Sequence, residues 1–537
     1  MALVNQFSSK KVLIVDDLPG MRTQLQMSLT HSGFEKLHVV ASIKDALARI
    51  QEEKYDIILS DYFLGEGTSG QQFLEYLRTR DLISRNTIFV IITAERTYEK
   101  VVTAAECTPD DYLLKPFTAE QLNQRLVKLM ERQARFVKVD KATDAKDWGR
   151  VIKECDAIIA EKDKYFIEAC KIQGAALIKN GQIDFAIAHY EKVIHIRPLP
   201  WAKLGLARAL SMKGDNNAAT ELARSVLAEN STFMSAYDFL GHVLADSGDK
   251  EGALELLQTA RQVSPGTLNR IRNIAELAVD TGKPDIAEQI LSEALTKHKY
   301  SPVREAQDYA TLSKALLEQG KPEKALDILK EAKSDFKDDT SNVVLATSES
   351  IAHQKAGNPD LAEAALAQAL AANHGKLPAT VAAAVANACL ALGKDDKAHE
   401  ILKQVVQNNP DDAKVHEKVH AILTASGKDM HEAHAMIQAS VKEVIQINND
   451  GVRKAQAGEL AEAITLLCDA ADRLPNNIQI ISNASLALAL DLARNGYNAV
   501  KHSECIRYRK AVADKFPDYP KLAQIDSMLL KVQKPNE

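Results

Sequence analysis

The sequence predicts two architectures in one chain: an N-terminal α/β region built as a doubly wound, five-stranded parallel sheet, then an all-α superhelix of stacked helical pairs. Three observations carry this. Up to about residue 135, five short apolar runs recur at regular intervals between amphipathic stretches. From about residue 140 that rhythm is gone, and a glycine recurs with a period of about 34 residues. Only 5% of the 537 residues are aromatic, while Ala and Leu are abundant, a bias toward helices packed through small side chains.

The five runs are "KVLIVDD", "KLHVVAS", "YDIILSD", "NTIFVIITA" and "DDYLLKPF". Each is apolar throughout rather than alternating, as expected of strands covered on both faces. Parallel strands with helical crossovers satisfy that requirement. Reactive groups in such sheets collect at the carboxyl ends of the strands. Asp16 and Asp17 end the first run, Asp61 the third, Thr93 lies at the end of the fourth, and Lys115 follows the fifth.

The second region is a helix-turn-helix frame marked by a glycine with an alanine five residues later. Gly181 with Ala186, Gly214 with Ala219, Gly248 with Ala253, Gly282 with Ala287, Gly320 with Ala325, Gly357 with Ala362, Gly393 with Ala398 and Gly458 with Ala463 obey it. Gly427 and Gly496 fit the spacing without the alanine. The interval from Gly427 to Gly458 is the shortest of the series, and those from Gly282 to Gly320 and from Gly458 to Gly496 are the longest. Seven residues before most of these glycines stands a small residue, as at Gly174, Ala207, Gly241, Ala275, Ser313, Ser350, Ala386, Gly451 and Ala489, where paired helices must touch. Seventeen residues after, a proline often ends the second helix, as at Pro198, Pro265, Pro410 and Pro475. The period and pattern resemble the tetratricopeptide repeat, most closely in "YDFLGHVLADSGDKEGALELLQTARQVSP". That resemblance implies an α-solenoid whose concave face binds a protein or peptide, here of unknown identity. The stretch "WAKLG" at Trp201 looks like the repeat's opening signature but lies two positions out of register with Gly214, and reads as coincidence.

The expected organisation is residues 1–135 as the α/β domain, 136–165 as linker and capping helix, 166–500 as nine to ten repeats, and 501–537 as C-terminal capping helices and tail. The formal charge is −6, with no long block of Lys or Arg, which argues against a nucleic-acid partner. Six cysteines, at 107, 155, 170, 389, 468 and 505, lack any metal-ligand spacing and suit reduced thiols. The first residues lack the apolar core of a signal peptide, and no stretch of about 18 uncharged apolar residues follows. A cytoplasmic protein without membrane insertion is expected.

The chemistry lies in the first region. Asp16, Asp17 and Asp61 at neighbouring strand ends repel one another unless a cation sits among them. A hard divalent ion such as Mg²⁺ relieves that repulsion and leaves room for a phosphoryl oxygen. Lys115 offers a point charge to the same group, and Asp61 is the natural nucleophile, since a carboxylate can form an acyl phosphate.

In the order "LIVDDLPGMR", "IILSDYFLGEGTSG", "VIITAE" and "DDYLLKPF", residues 8 to 132 resemble the receiver domain of two-component response regulators, a flavodoxin-like fold of the chemotaxis CheY type. The resemblance implies Asp61 as phosphoacceptor, Asp17 as direct Mg²⁺ ligand with Asp16 assisting, and the Phe63 backbone carbonyl as a further ligand. Thr93 matches the switch hydroxyl, Tyr112 the switch aromatic and Lys115 the phosphate-contacting lysine, with a cis bond to Pro116 that costs only about 0.5 to 1 kcal/mol in X-Pro. Departures are visible: "YFLGEGTSG" has Leu64 and Gly65 where Met-Pro is usual and reaches Gly70 one residue late, and Thr108 and Pro109 replace a usual Gly-Ala. Phe63 stands where a polar side chain helps orient an attacking water, so slow loss of phosphate is expected.

These features imply a response regulator that accepts phosphate from a sensor histidine kinase or phosphotransfer protein and controls protein interaction through the repeats or through self-association as a homodimer. The alternative is a phosphate reservoir or relay intermediate localised by the repeats. A DNA-binding regulator is disfavoured by the absence of a basic helix-turn-helix module. No cyclase, phosphodiesterase, kinase or phosphatase motif follows residue 135, so no enzyme is expected beyond the receiver's own Mg²⁺-dependent phosphotransfer and slow autodephosphorylation.

Overall fold

The computed structural model describes residues 7–65, 69–94, 109–265, 267–299, 301–371, 377–516 and 519–532. The chain divides into two units, Met1–Arg304 and Glu305–Glu537.

The first unit opens with five strands, β1 (Lys11–Val15), β2 (Lys36–Val40), β3 (Ile57–Asp61), β4 (Ile88–Thr93) and β5 (Asp111–Leu114). All pair in parallel, in the order β2-β1-β3-β4-β5. Both faces are covered, as the uniformly apolar runs require. Val12, Ile14, Ile57, Leu59, Ile88, Val90 and Ile92 point into one core. Leu13, Val15, Ile58, Phe89 and Ile91 point into the other. The edge strand β2 is only half-buried, because it has a neighbour on one side alone.

Four described helices complete this region: α1 (Pro19–His31), α2 (Ile43–Glu52), α3 (Gly70–Thr79) and α4 (Ala119–Asp144). Proline occupies the first turn of α1, where its missing N–H costs nothing. The starts of α3 and α4 are fixed by capping boxes, Ser69 with Gln72 and Thr118 with Gln121. The 26 residues of α4 run without interruption through the expected boundary at 135. Two apolar segments explain this: Leu122, Leu126 and Met130 pack on the sheet, while Phe136, Val139 and Ala142 pack on the helices that follow.

Those helices are α5 (Trp148–Glu161), α6 (Phe166–Lys179), α7 (Ile183–Ile196), α8 (Pro200–Met212), α9 (Asn216–Glu229), α10 (Met234–Asp246), α11 (Lys250–Val263), α12 (Leu268–Asp280) and α13 (Pro284–Lys297). The second unit contains α14 (Ala306–Glu318), α15 (Pro322–Asp335), α16 (Asp339–Lys355), α17 (Pro359–Ala371), α18 (Ala379–Ala391), α19 (Asp395–Asn408), α20 (Ala413–Ala425), α21 (Met430–Ala457), α22 (Leu460–Arg473), α23 (Ile478–Asn495), α24 (Ala499–Lys515) and α25 (Pro520–Leu529).

All ten turn glycines have φ between +67° and +96°, a region closed to most side chains. The eight alanines that follow them at five residues are fully buried. Where the small residue seven positions earlier is glycine, the reason is direct: a Cβ on Gly174, Gly241 or Gly451 would come within 2.5, 2.9 and 2.5 Å of Tyr190, Leu257 and Leu467. Each of those side chains lies sixteen residues further on, in the second helix of the pair. The "WAKLG" stretch has a packing role that register alone does not reveal. A Cβ on Gly205 would lie 2.3 Å from the Tyr190 ring, and Trp201 meets that ring edge-on at 6.5 Å.

Irregular intervals have structural counterparts. The shortest, from Gly427 to Gly458, deletes a loop, so a second helix and the next first helix fuse into the 28-residue α21. One of the two longest, from Gly282 to Gly320, contains the division after Arg304. At the other end, α24 packs on α23 across Gly496, with Cys505 and Tyr508 in their shared core, so the expected boundary at 500 falls inside a helix.

Candidate functional site

Three strands deliver charged groups to one edge of the sheet. Asp16 follows β1 and is fully buried, Asp17 is exposed beside it, and Asp61 ends β3 with 7% of its surface accessible. Each offers a carboxylate oxygen, and these oxygens lie within 4.8 Å of one another. Lys115, just past β5, donates from Nζ to Asp61 at 2.9 Å and to Asp16 at 3.3 Å. The Asp16 carboxylate also accepts the Leu18 N–H at 2.8 Å, and its carbonyl accepts from the Arg22 guanidinium at 2.7 Å. These bonds fix Asp16 while leaving Asp17 turned to solvent.

Burial pushes the Asp61 carboxyl above the usual carboxylate range. The Lys115 ammonium opposes that shift through its hydrogen bond and charge, the Asp16 carboxylate reinforces it, and the Tyr62 N–H opposes it. Three carboxylates against one ammonium leave an excess of negative charge. Oxygen-only donors at that spacing fit a hard divalent cation such as Mg²⁺.

Asp61 has little room behind it. A Cβ on Gly70 would stand 2.3 Å from the Asp61 carbonyl oxygen, so only glycine fits there. Gly70 N–H donates to the Tyr62 carbonyl at 2.8 Å, and Phe63 pairs with Ser69 in an isolated antiparallel bridge. The Phe63 side chain is 53% exposed, with its ring edge-on to Tyr62 at 4.9 Å. Gly65 has φ +71°, and a Cβ there would lie 3.8 Å from an Asp17 oxygen.

Thr93 ends β4, buried, and its carbonyl accepts the Lys115 N–H at 2.6 Å. Tyr112 sits in β5 opposite Ile91, partly buried against the core on that face. The Lys115–Pro116 peptide is cis. Thus Asp16, Asp17, Asp61 and Lys115 form one cluster, with Thr93 bonded to Lys115 through the backbone. Residues 66–68 of the lengthened loop after Asp61, Cys107 and Thr108 lie outside the described residues. No motif marks the fixing roles of Leu18 and Arg22, although Pro19 at the start of α1 signals the turn that produces them.

Comparison with known proteins agrees with this architecture. The family described as response regulator receiver domain matches residues 12–127, and a tetratricopeptide repeat family matches residues 353–422. Chemotaxis protein CheY-3 of Vibrio cholerae is 30% identical over 131 residues, covering 24% of this chain and 98% of that protein. The phosphate regulon transcriptional regulatory protein PhoB of Escherichia coli K12 is 31% identical over 124 residues, 23% of this chain and 53% of PhoB, so the chain spans about half of that relative. Among solved structures, a tetratricopeptide repeat protein from Parabacteroides merdae aligns at 13% identity and a TM-score of 0.33, over 47% of this chain and 96% of that one. The Francisella response regulator 1452 receiver domain aligns at 28% identity and a TM-score of 0.21, over 23% of this chain and 98% of that one. Through its N-terminal domain the chain belongs to the response regulator receiver family, and it carries a tetratricopeptide-repeat array behind that domain.

Proposed function

We propose that the protein accepts a phosphoryl group on Asp61 from a histidine kinase or phosphotransfer protein and uses its repeats for phosphorylation-controlled protein interaction. The observation that supports this most directly is the Asp61 carboxylate held at 2.9 Å from Lys115 and within 4.8 Å of the oxygens of two further carboxylates.

An Asp61 oxygen attacks the phosphorus, forming the acyl P–O bond as the P–N bond of a phosphohistidine breaks. The imidazole leaves with the bonding pair and takes a proton from solvent. Lys115 follows the transferred group with its ammonium, while Asp16, tied to Leu18 and Arg22, keeps the pocket wall fixed. A divalent ion held by Asp16, Asp17 and Asp61 would supply positive charge to the phosphoryl oxygens. Thr93, at the end of the neighbouring strand, would supply the hydroxyl that follows the new group. Beyond that transfer to itself, and slow hydrolysis of the acyl phosphate to carboxylate and inorganic phosphate, no catalysis is assigned.

Incubation with acetyl phosphate and Mg²⁺ should add one phosphoryl mass to the wild-type chain and none to Asp61→Asn. Labelling of Asp61→Asn to the wild-type extent would overturn the assignment. Pull-downs with and without beryllofluoride should recover different partners from wild type and the same partners from Asp61→Asn.

A further inference from the structure

The helix that follows the phosphoacceptor loop is buried more than its own domain requires. On α3 the apolar side chains Phe73, Leu74 and Leu77 face the receiver core. Gln71 and Gln72 lie off that stripe and are nevertheless buried, at 5% and 6% exposure. Gln72 reaches across 226 residues of sequence to His298, which is 4% exposed and directly follows α13, the last repeat helix of the first unit. The Gln72 side-chain amide donates to His298 Nδ1. Burial, reinforced by the neighbouring Lys297 charge, holds the imidazole well below its usual pKa, so the ring is neutral. Because the amide nitrogen of Gln72 can only donate, Nδ1 accepts and the ring proton belongs on Nε2.

This contact is joined to Asp61 by consecutive short links. The Asp61 carbonyl accepts from Ser60 Oγ at 3.0 Å and abuts Gly70 with no space for a methyl group. Gly70 is tied to Tyr62, and Phe63 to Ser69. Ser69 N–H donates to Gln72 Oε1 at 3.0 Å, and Gln72 N–H donates to Ser69 Oγ at 3.2 Å. Gln72 thus spends its oxygen on the helix cap and its amide hydrogen on His298; rotation of the side chain breaks both at once. Short contacts thus run without a gap from Asp61 to His298.

We propose that the repeat lobe ending at α13 docks on the receiver through α3, and that phosphorylation of Asp61 is read there by weakening of the Gln72–His298 contact. The partner of this receiver surface is the chain's own repeat array. The inference rests on the reading of Asp61 as phosphoacceptor. A phosphoryl group adds charge and volume in front of a carboxylate whose backbone is wedged against Gly70, and the relief runs into the first turn of α3.

The test is hydrogen exchange on the full-length chain, with and without beryllofluoride and Mg²⁺, followed in peptides covering residues 70–79 and 284–299. Beryllofluoride occupancy is measured separately by fluorine NMR. Wild type should bind it and exchange at least about threefold faster over 290–298, the signature of a local opening where α13 meets α3. Gln72→Ala should show the faster exchange already without the ligand and change little on adding it. His298→Gln, whose side-chain oxygen can still accept from Gln72, should behave as wild type. Binding with unchanged exchange in both segments would overturn the docking inference alone. Failure of beryllofluoride to bind would overturn the phosphoacceptor reading, and this inference with it.

Discussion

At the scale of single residues, Asp61 is controlled from both sides. Two positions past it stands Phe63, which cannot hydrogen-bond an attacking water. Phe63→Asn should shorten the lifetime of the phosphorylated protein by about tenfold, equivalent to ~1.4 kcal/mol of barrier. Loss of phosphate followed after removal of the donor checks this, and an unchanged lifetime would show that the ring does not shield the site. Behind Asp61 stands Gly70, where a methyl group would collide with a backbone carbonyl that cannot swing away. Gly70→Ala should destabilise the receiver by about 1–3 kcal/mol in urea unfolding, the usual range for overpacking. His298 gives a pH dependence. Its pKa falls from an ordinary 6.5 to about 4 on folding, so between those values the unfolded chain binds more protons than the native one. Stability from this group is therefore intact above about pH 6.5 and is lost as pH falls toward 4. Asp140, raised to about 6 by burial, acts in the opposite sense over much of that window. Comparing wild type with His298→Gln separates the two: the wild type should lose more stability between pH 7 and 4.5.

At the scale of elements, two kinds of glycine meet different demands. Turn glycines such as Gly357 have positive φ and open space around them, so Gly357→Ala should cost only the backbone strain, about 1–2 kcal/mol. A Cβ on a packing glycine such as Gly451 would lie 2.5 Å from a neighbouring leucine. Gly451→Val should cost more than Gly357→Ala in thermal unfolding, because a branched side chain must push two helices apart. Both classes were legible in the sequence, since a repeat writes the same local demand ten times. The five strands were legible for a related reason: burial on both faces leaves no polar alternation. What stayed hidden were contacts set by the way elements meet. The Tyr190 pocket for Gly205 and the fusion of two helices into α21 depend on register and loop loss, which single-position patterns do not carry.

At the scale of the whole molecule, the candidate site was legible because its acids and lysine sit at strand ends in a fixed topology. The Gln72–His298 contact was not, because neither residue belongs to a motif and 226 positions separate them. The repeats carry no long basic block, and among the described residues no helix is long and apolar enough to cross a membrane. The division after Arg304 falls within one of the two longest intervals between turn glycines, while the other, from Gly458 to Gly496, lies wholly inside the second unit.

The unbroken α4 has a bearing on modularity. A rod of 26 residues is about 39 Å long. Its first half completes the receiver and its second half completes the first repeat layer, bound there by Arg132 to Glu168 of α6. A receiver excised at residue 135 would be severed in mid-rod, and one excised after Asp144 would carry Phe136, Val139 and Ala142 bare into water. Recombination that exchanges this receiver for another must therefore transplant the rod together with its second set of contacts, so input and output are exchangeable only as a welded pair.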